Sequence, residues 1–357
     1  MKQILLKKGM VYSVEIPEPA TKAGYVKIKV FHSCISAGTE ITGISESRKS
    51  LLRKVIDKPQ KIITAAGYLK NQGLKSTKDK ISSISDKYLE SGYSISGQVV
   101  EIGKDVNNLS EGDWVAAGGM GFATHAEYVL VPKNLVVKLP KNLDTLYAST
   151  ATVGAISLHG VRRADLKIGE YGVVFGAGLL GLIAVQILKS AGVRVACIDI
   201  NPERINLAKS SGAELVIDSS LEDPVNSIRN WSSGYGADAV LFAANTSDSK
   251  PLSQAFQMTR KKGKVVLVGV SGMHINRKDI YSNEIDFLIS TSYGPGRYDD
   301  DYELKGIDYP YPYVRWTENR NIAEFLRLLN AGAVDLDLLN PTIYNFNDFS
   351  KAFEDLQ

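Results

Sequence analysis

The 357-residue chain is 44% hydrophobic and 23% charged, the balance of a folded globular protein long enough for two domains. A net charge of +3 does not imply a nucleic-acid partner, and two cysteines, Cys34 and Cys197, exclude both a disulfide framework and a four-cysteine zinc lobe. The most apolar stretch, 173–188, covers 16 residues and contains a glycine turn, so no membrane span is expected. Met1–Lys8 has no apolar region of leader length, and the expected location is the cytoplasm.

Residues 1 to about 40 alternate like antiparallel strands, with Val26–Val30 a clean period-two run. Short strands follow at 95–102, 113–116, 126–131 and 136–139, separated by glycine and proline, and together they predict a small β-rich domain. The segment 46–80 departs from this pattern. It holds ten Lys or Arg against three acids, a net +7 that leaves −4 for the rest of the chain. Leu51, Leu52, Val55 and Ile56 have helical spacing. Two readings stay open for it: a solvated amphipathic helical insertion, or a basic lip for an anionic substrate such as a nucleotide sugar.

From about Asp144 strands alternate with helices, at 171–175, 193–199, 214–218, 238–243, 263–269 and 286–292. Six strands with crossover helices predict a doubly wound parallel sheet. At its start, Tyr171–Phe175 is followed by Gly176-Ala177-Gly178-Leu179-Leu180-Gly181 and a helix to about Ala191. The next strand ends at Asp199, 23 residues after Gly176. This is a dinucleotide fingerprint in full context. Gly176 permits the turn, Gly178 lets a pyrophosphate approach, and Gly181 lets helix and strand lie close. Leu179 and Leu180 open the helix whose amides face the phosphates. Asp199 would accept from the ribose hydroxyls and repel a 2′-phosphate, so the cofactor expected is NAD. Arg204 either flanks the adenine or is a solvated helix charge. Thr246, Val268 and Gly269, at later strand ends, should border the nicotinamide.

The final segment, 293–357, contains expected helices at 321–330 and near 346–356. Residues 293–313 hold six of the 17 tyrosines, with Arg297 and Asp299–Asp301 among them. That mixture suits a sugar ring, with Tyr293, Arg297 and Tyr298 as contacts, and equally suits a subunit interface.

The order of these parts resembles the medium-chain dehydrogenase/reductase superfamily across nearly the whole chain. The residues that carry the likeness are Ser96–Gly103, Glu111–Val115, His125–Pro132, the glycine fingerprint and Gly263–Gly269. The resemblance implies an α/β protein: a GroES-like β-rich catalytic domain plus a doubly wound parallel-sheet Rossmann domain. The boundaries expected are 1–147 for the first, with a basic helical insertion at about 46–90, 148–292 for the NAD-binding domain, and 293–357 for a return to the first. A narrower likeness rests on Ile35–Glu40, Ser292–Asp299 and Val314–Asn321. These are similar to the first half of bi-domain oxidoreductases of bacterial polysaccharide gene clusters, in which a sugar-dehydrogenase-like domain follows. The Ser36–Glu40 segment is also similar to bacteriochlorophyllide a dehydrogenase. The chain stops at Gln357, where the second domain would begin, so a separate sugar-dehydrogenase partner is one expectation.

Zinc-dependent members use an early Cys, a Gly-His-Glu motif and a later Cys or acid. Here those places read Ser36 or its neighbours, Gly92-Tyr93-Ser94 and Ala151–Ala155. A catalytic zinc needs about three protein ligands, so no metal is expected. Proton transfer then falls to side chains. Tyr93 stands where a ligating His would, Glu40 follows the first ligand position, and His125 brings an imidazole, the side chain most used as a general acid or base. Each also has a structural reading: Tyr93 packed with its hydroxyl satisfied, Glu40 bonding loop amides, His125 beside a strand. Ser36 is expected to touch substrate.

The expected activity is a zinc-independent, NAD(H)-dependent hydride transfer at a hydroxyl or carbonyl carbon of a carbohydrate, in polysaccharide biosynthesis. Alternatives are a zinc-free quinone or enoyl reductase, which needs NADPH, and a non-catalytic dinucleotide-binding partner of a separate sugar dehydrogenase. A homodimer without a nucleic-acid partner is expected, since dimers are the commonest closed assembly.

Overall fold

A computed structural model of the protein describes residues 1–48 and 88–356. Most of the basic segment 46–80, with both readings attached to it, lies outside the described residues.

The first domain is antiparallel. Strands β1 (Lys2–Lys7), β2 (Met10–Glu15) and β3 (Tyr25–Ser33) precede helix α1 (Ala37–Arg48). Next come β4 (Leu89–Glu90), β5 (Ser94–Ile102), β6 (Trp114–Gly118), β7 (Tyr128–Pro132) and β8 (Val136–Lys138). They form a five-stranded sheet of order β7-β3-β5-β6-β8 and a three-stranded sheet of order β2-β1-β4. The expected β pattern to residue 40 gives way earlier, at Ala37. The Ser36 carbonyl accepts from the Thr39 and Glu40 amides, and Glu40 in the first turn complements the helix dipole.

Helix α2 (Ala151–Ala164) leads into the second domain. It is followed by β9 (Tyr171–Phe175), α3 (Leu179–Ser190), β10 (Arg194–Asp199), α4 (Pro202–Ser210), β11 (Leu215–Asp218) and α5 (Pro224–Trp231). Then come β12 (Ala237–Phe242), α6 (Lys250–Met258), β13 (Thr259–Leu267), β14 (Asp286–Ile289), α7 (Glu318–Asn330) and α8 (Phe349–Glu354), with shorter helical turns between them. The sheet has six parallel strands in the order β11-β10-β9-β12-β13-β14. Its order reverses between β9 and β12, the place where open α/β sheets bind ligands. Two strands differ from expectation. β13 begins at Thr259, because Thr259 pairs with Ala237 across a register shift. β14 stops at Ile289, before Ser292 and Gly294 turn to positive φ. The final helix also shortens, to a 3₁₀ turn at Phe346–Asp348 and then α8.

One apolar cluster joins the two domains. Val26, Ile28, Ile95 and Val115 of the first sheet share it with Val153 and Leu158 of α2, Ile183 and Ile187 of α3, and Ile322, Phe325 and Leu329 of α7. Helix α7 thus packs into the same cluster as the first sheet. Gly154 is the tight point, where a Cβ would lie 2.1–2.3 Å from the Phe325 ring. Ala for Gly in a helix interior gains about 1 kcal/mol by propensity, whereas overpacking a core costs about 1–3 kcal/mol. Gly154→Ala should therefore lower Tm by a few degrees in a thermal melt; an unchanged or raised Tm would show that Phe325 gives way freely.

Candidate active site and dinucleotide cradle

The carboxyl ends of β9, β10, β12, β13 and β14 share one edge of the sheet. At β9 the chain turns at Gly176, whose φ of +104° disfavours other residues. A Cβ there would lie 2.6 Å from the Ala244 amide, and a Cβ at Gly181 would lie 1.9 Å from the Gly176 carbonyl oxygen. Strand, turn, helix and the neighbouring strand end are therefore in backbone contact. Gly178, the N-cap of α3, meets nothing within 4 Å of its Cβ position and supplies no side-chain cap. The first amides of α3 thus open onto free space, as a pyrophosphate seat requires.

Asp199 lies beside this turn. Its Oδ2 accepts from the Ala177 amide at 2.6 Å and its Oδ1 from the Ile200 and Asn201 amides at 2.8 and 3.0 Å. These bonds hold the carboxylate at the turn and leave further lone pairs for ribose hydroxyls. Arg204 is exposed on α4 with its amide bonded to the Asn201 side chain. Thr246 caps a turn through Oγ1 and pairs with Val270. The Val268 and Gly269 amides both donate to the Phe242 carbonyl, and a Cβ at Gly160 would lie 2.8 Å from Val268, which seats the β13 end on α2. Leu179 and Leu180 pack against the cluster that joins the domains, and the Ser157 hydroxyl donates to the Leu180 carbonyl at 2.9 Å. The cradle is thereby tied to α2.

The N-terminus of α2 reaches the catalytic candidates. Thr152 N donates to Ser94 Oγ at 3.1 Å, directly after Tyr93 in the chain. Tyr93 is buried, and the Ser36 and Thr39 side chains lie near its phenol. Burial pushes the phenol upward, against the pull of those two hydroxyls and with Cys34 and Glu40 adding to the rise. The phenol therefore keeps its proton near neutral pH. The buried Thr152 hydroxyl has no partner among the described residues. Thr39 and Thr152 were not among the expected site residues; the signal for Thr39 was its place within Ser36–Glu40.

Glu40 and His125, both buried, face each other. His125 Nε2 lies 3.3 Å from Glu40 Oε1, and its Nδ1 lies 2.9 Å from Ser33 Oγ, so both ring nitrogens are engaged. Glu40 also accepts from Ser91 Oγ at 2.6 Å and from the Gly92 amide at 3.2 Å. Burial raises the Glu40 carboxyl, but the bonds from His125, Ser91 and Gly92 outweigh it and hold it below its ordinary value. The pair fixes the turn that carries Tyr93.

Of the four expected substrate contacts, Tyr293 and Arg297 lie against acids of the chain itself. Tyr293 is buried, with its hydroxyl beside Glu318 and without a hydrogen-bond partner among the described residues, and Arg297 is ion-paired to Glu303 at 2.6 Å. Tyr298 is 74% exposed. Glu318 is fully buried and neither carboxyl oxygen has a hydrogen-bond partner among the described residues. Burial, with Glu303 adding to it, pushes this carboxyl up to about 9, against the pull of Arg297.

The three ligand positions carry Ser36, Tyr93 and Thr152, and burial pushes the Cys34 thiol up to about 12. Among the described residues no group of three or more His, Cys, Asp or Glu could hold a metal ion.

Two family profiles match the chain: "Alcohol dehydrogenase GroES-like domain" over residues 72–141 and "Zinc-binding dehydrogenase" over 180–304. The chain is 34% identical over 290 residues to L-threonine 3-dehydrogenase of Bacillus velezensis, covering 74% of this chain and 77% of that one. It is 32% identical over 228 residues to an NAD-dependent alcohol dehydrogenase of Sulfurisphaera tokodaii, covering 55% of this chain and 65% of that protein's length. The solved alcohol dehydrogenase TADH of Thermus sp. ATN1 shares the fold, with a TM-score of 0.74 at 20% identity over 99% of this chain and 96% of that one.

Because Glu40 is held below its ordinary value in the folded state, its stabilisation is present above the unfolded carboxyl value of 4.5 and is lost as pH falls through the folded value. Glu40→Gln should therefore melt several degrees below the parent at pH 7, with the gap closing below pH 4.5. A gap that is constant across this range would contradict the ionised pairing.

Proposed function

Because the chain belongs to the medium-chain dehydrogenase/reductase superfamily, we propose that it is an NAD(H)-dependent oxidoreductase acting without zinc on a hydroxyl or carbonyl carbon of a carbohydrate. The observation that carries this reading is the open cradle at Gly176–Gly181 with Asp199 beside it, tied through α2 to the buried Tyr93 hydroxyl. Bound in that cradle, NADH supplies a hydride to the substrate carbon, or NAD accepts one from it.

The rest is work for the chain's own residues. The amides opening α3 and the Gly178 face receive the pyrophosphate. Asp199 accepts from the ribose hydroxyls and disfavours a 2′-phosphate. Tyr93, kept protonated by burial, donates to the substrate oxygen and passes its proton there as the carbonyl is reduced. Ser36 and Thr39, near the phenol, are the route by which the proton is replaced. In the oxidising direction the same hydroxyls carry the proton away. Glu40 and His125 position Tyr93 through the Ser91–Gly92 turn. A lining of hydroxyl groups suits a polyhydroxylated substrate, which exchanges hydrogen bonds with such donors and acceptors in turn. A homodimer, a cytoplasmic location and a place in polysaccharide synthesis belong to the same reading. No described helix is long and apolar enough to cross a membrane.

Tyr93→Phe removes one hydroxyl and keeps the ring. Carbonyl reduction by NADH across a panel of sugar and sugar-nucleotide substrates should fall about a hundredfold or more in kcat, with NADH affinity unchanged. Near-parental kcat in the variant would remove Tyr93 from the chemistry.

A further inference from the structure

A buried acid stands without a partner beneath the loop that leaves β14. Glu318, the first residue of α7, is fully buried, and among the described residues neither of its carboxyl oxygens has a hydrogen-bond partner. Burying a polar group in this way is costly, so it calls for a reason. The first-turn amides of α7 would favour an anion there. Instead the Arg320 amide donates to Thr317 Oγ1 and the Asn321 amide to the Thr317 carbonyl. The groups that face Glu318 are Tyr293 and Arg297 from the loop, and Glu303 with Tyr302 from the short helix Asp300–Glu303. Tyr309, stacked on Tyr302 with centroids 5.4 Å apart, also feels its charge.

Among these groups there is one cation for two acids. Arg297 is ion-paired to Glu303 at 2.6 Å, and both side chains are largely shielded from solvent. That pair is neutral, so Glu318 fits beside it only with its proton on. Burial, with Glu303 adding to it, pushes the Glu318 carboxyl up to about 9, against the pull of Arg297 and the Tyr293 hydroxyl. The cover over the acid is thin. A Cβ at Gly296 would lie 3.0 Å from Glu318 Oε2 and 2.5 Å from the Tyr302 ring. The loop takes positive φ at Ser292, Gly294, Gly296 and Tyr298, two of which carry side chains. It is tied to α7 by the Glu318 amide, which donates to the Pro295 carbonyl at 2.9 Å, and by Asn321 Nδ2, which donates to the Tyr293 carbonyl at 2.8 Å. Tyr293 is buried whereas Pro295 and Tyr298 are exposed, so the part free to lift is Gly294–Tyr298.

We propose that Glu318 is a proton-operated latch for this loop: protonated, it lets Gly294–Tyr298 lie on α7, and once ionised it drives that segment off. A second carboxylate beside Glu303 has no cation to meet and takes water instead. Water reaches it past Gly296, because Tyr302 and the apolar face of α7 are held in the core. Lifting the segment gives up the backbone bond from Glu318 to Pro295, and hydration of a carboxylate outweighs that loss. The segment lies at the sheet's carboxyl edge. The Ser290 amide, just before it, donates to the Leu267 carbonyl at the end of β13, and His159 Nδ1 of α2 lies 3.3 Å from the Cβ position of Gly294. Release of the latch therefore opens that edge. The proposal does not depend on the oxidoreductase reading, because its test needs neither cofactor nor turnover.

The test is hydrogen exchange read by mass spectrometry on the full chain, with the parent and Glu318→Gln compared at the same pH so that intrinsic rates cancel. Gln has the shape of the protonated acid and cannot ionise. At pH 6 the peptide over 292–299 should exchange alike in both proteins. At pH 9.5 it should exchange about tenfold faster or more in the parent. Thermal melts give a second readout. The Glu318 carboxyl is raised above 4.5 in the folded state, so the stability it lends is full below pH 4.5 and is lost as pH rises through about 9. Glu318→Gln should therefore gain on the parent in Tm from pH 4.5 to about 9 and by a constant amount beyond. In Glu303→Gln, Arg297 is left to meet the ionised Glu318, and the alkaline loosening of the loop should be lost. Equal exchange at pH 9.5, loosening that persists in Glu303→Gln, or a Tm gap that does not vary with pH would overturn the proposal. So would alkaline exchange that quickens across the whole chain alike, which would mean unfolding rather than a latch.

Discussion

Everything in the cleft depends on the backbone contact at Gly176. There the carboxyl end of β9 passes under Ala243–Ala244 at the end of β12 and over Gly181 in the first turn of α3, with space for hydrogens only. That contact fixes the direction of α3, and hence where its free amides point. It also fixes Leu179 and Leu180 against the cluster that joins the domains, and the Leu180 carbonyl against Ser157 of α2. Since α2 begins beside Ser94, the cradle and Tyr93 are held by one helix rather than by a flexible hinge.

Two buried glutamates show how the same side chain is put to opposite use. Glu40 receives a hydroxyl, an amide and an imidazole, and these keep it ionised where burial alone would not. Glu318 receives no partner among the described residues and stands close to Glu303, so it is kept neutral. The first works as an anchor for the turn that carries Tyr93. The second fills the base of the Ser292–Tyr298 loop, which also takes positive φ at Ser292, Gly294, Gly296 and Tyr298.

Much of this was legible in the sequence. Parallel strands buried on both faces read as apolar runs, so all six strands of the second domain were found, and the fingerprint and Asp199 fell where the glycine and carboxylate spacing placed them. The helix at Ala37–Arg48 was missed because its start is set by the Ser36 carbonyl, which leaves no apolar periodicity. Tyr93, Glu40, His125 and Ser36 were read as one neighbourhood, but not who faces whom. The mutual engagement of Glu40 and His125 comes from chain crossings between residues 85 positions apart. For the same reason the sequence left a sugar surface and a subunit interface equally open for Tyr293 and Arg297, which are buried and half-buried, and Thr152 read only as the occupant of the third ligand place.

The account's central claim is a cradle that takes the dinucleotide without a 2′-phosphate. Calorimetric titration of the full chain with NADH and with NADPH tests it directly. NADH should bind at least tenfold more tightly, because the Asp199 carboxylate beside the turn would repel a 2′-phosphate. Equal or tighter binding of NADPH, or no binding of either, would contradict it.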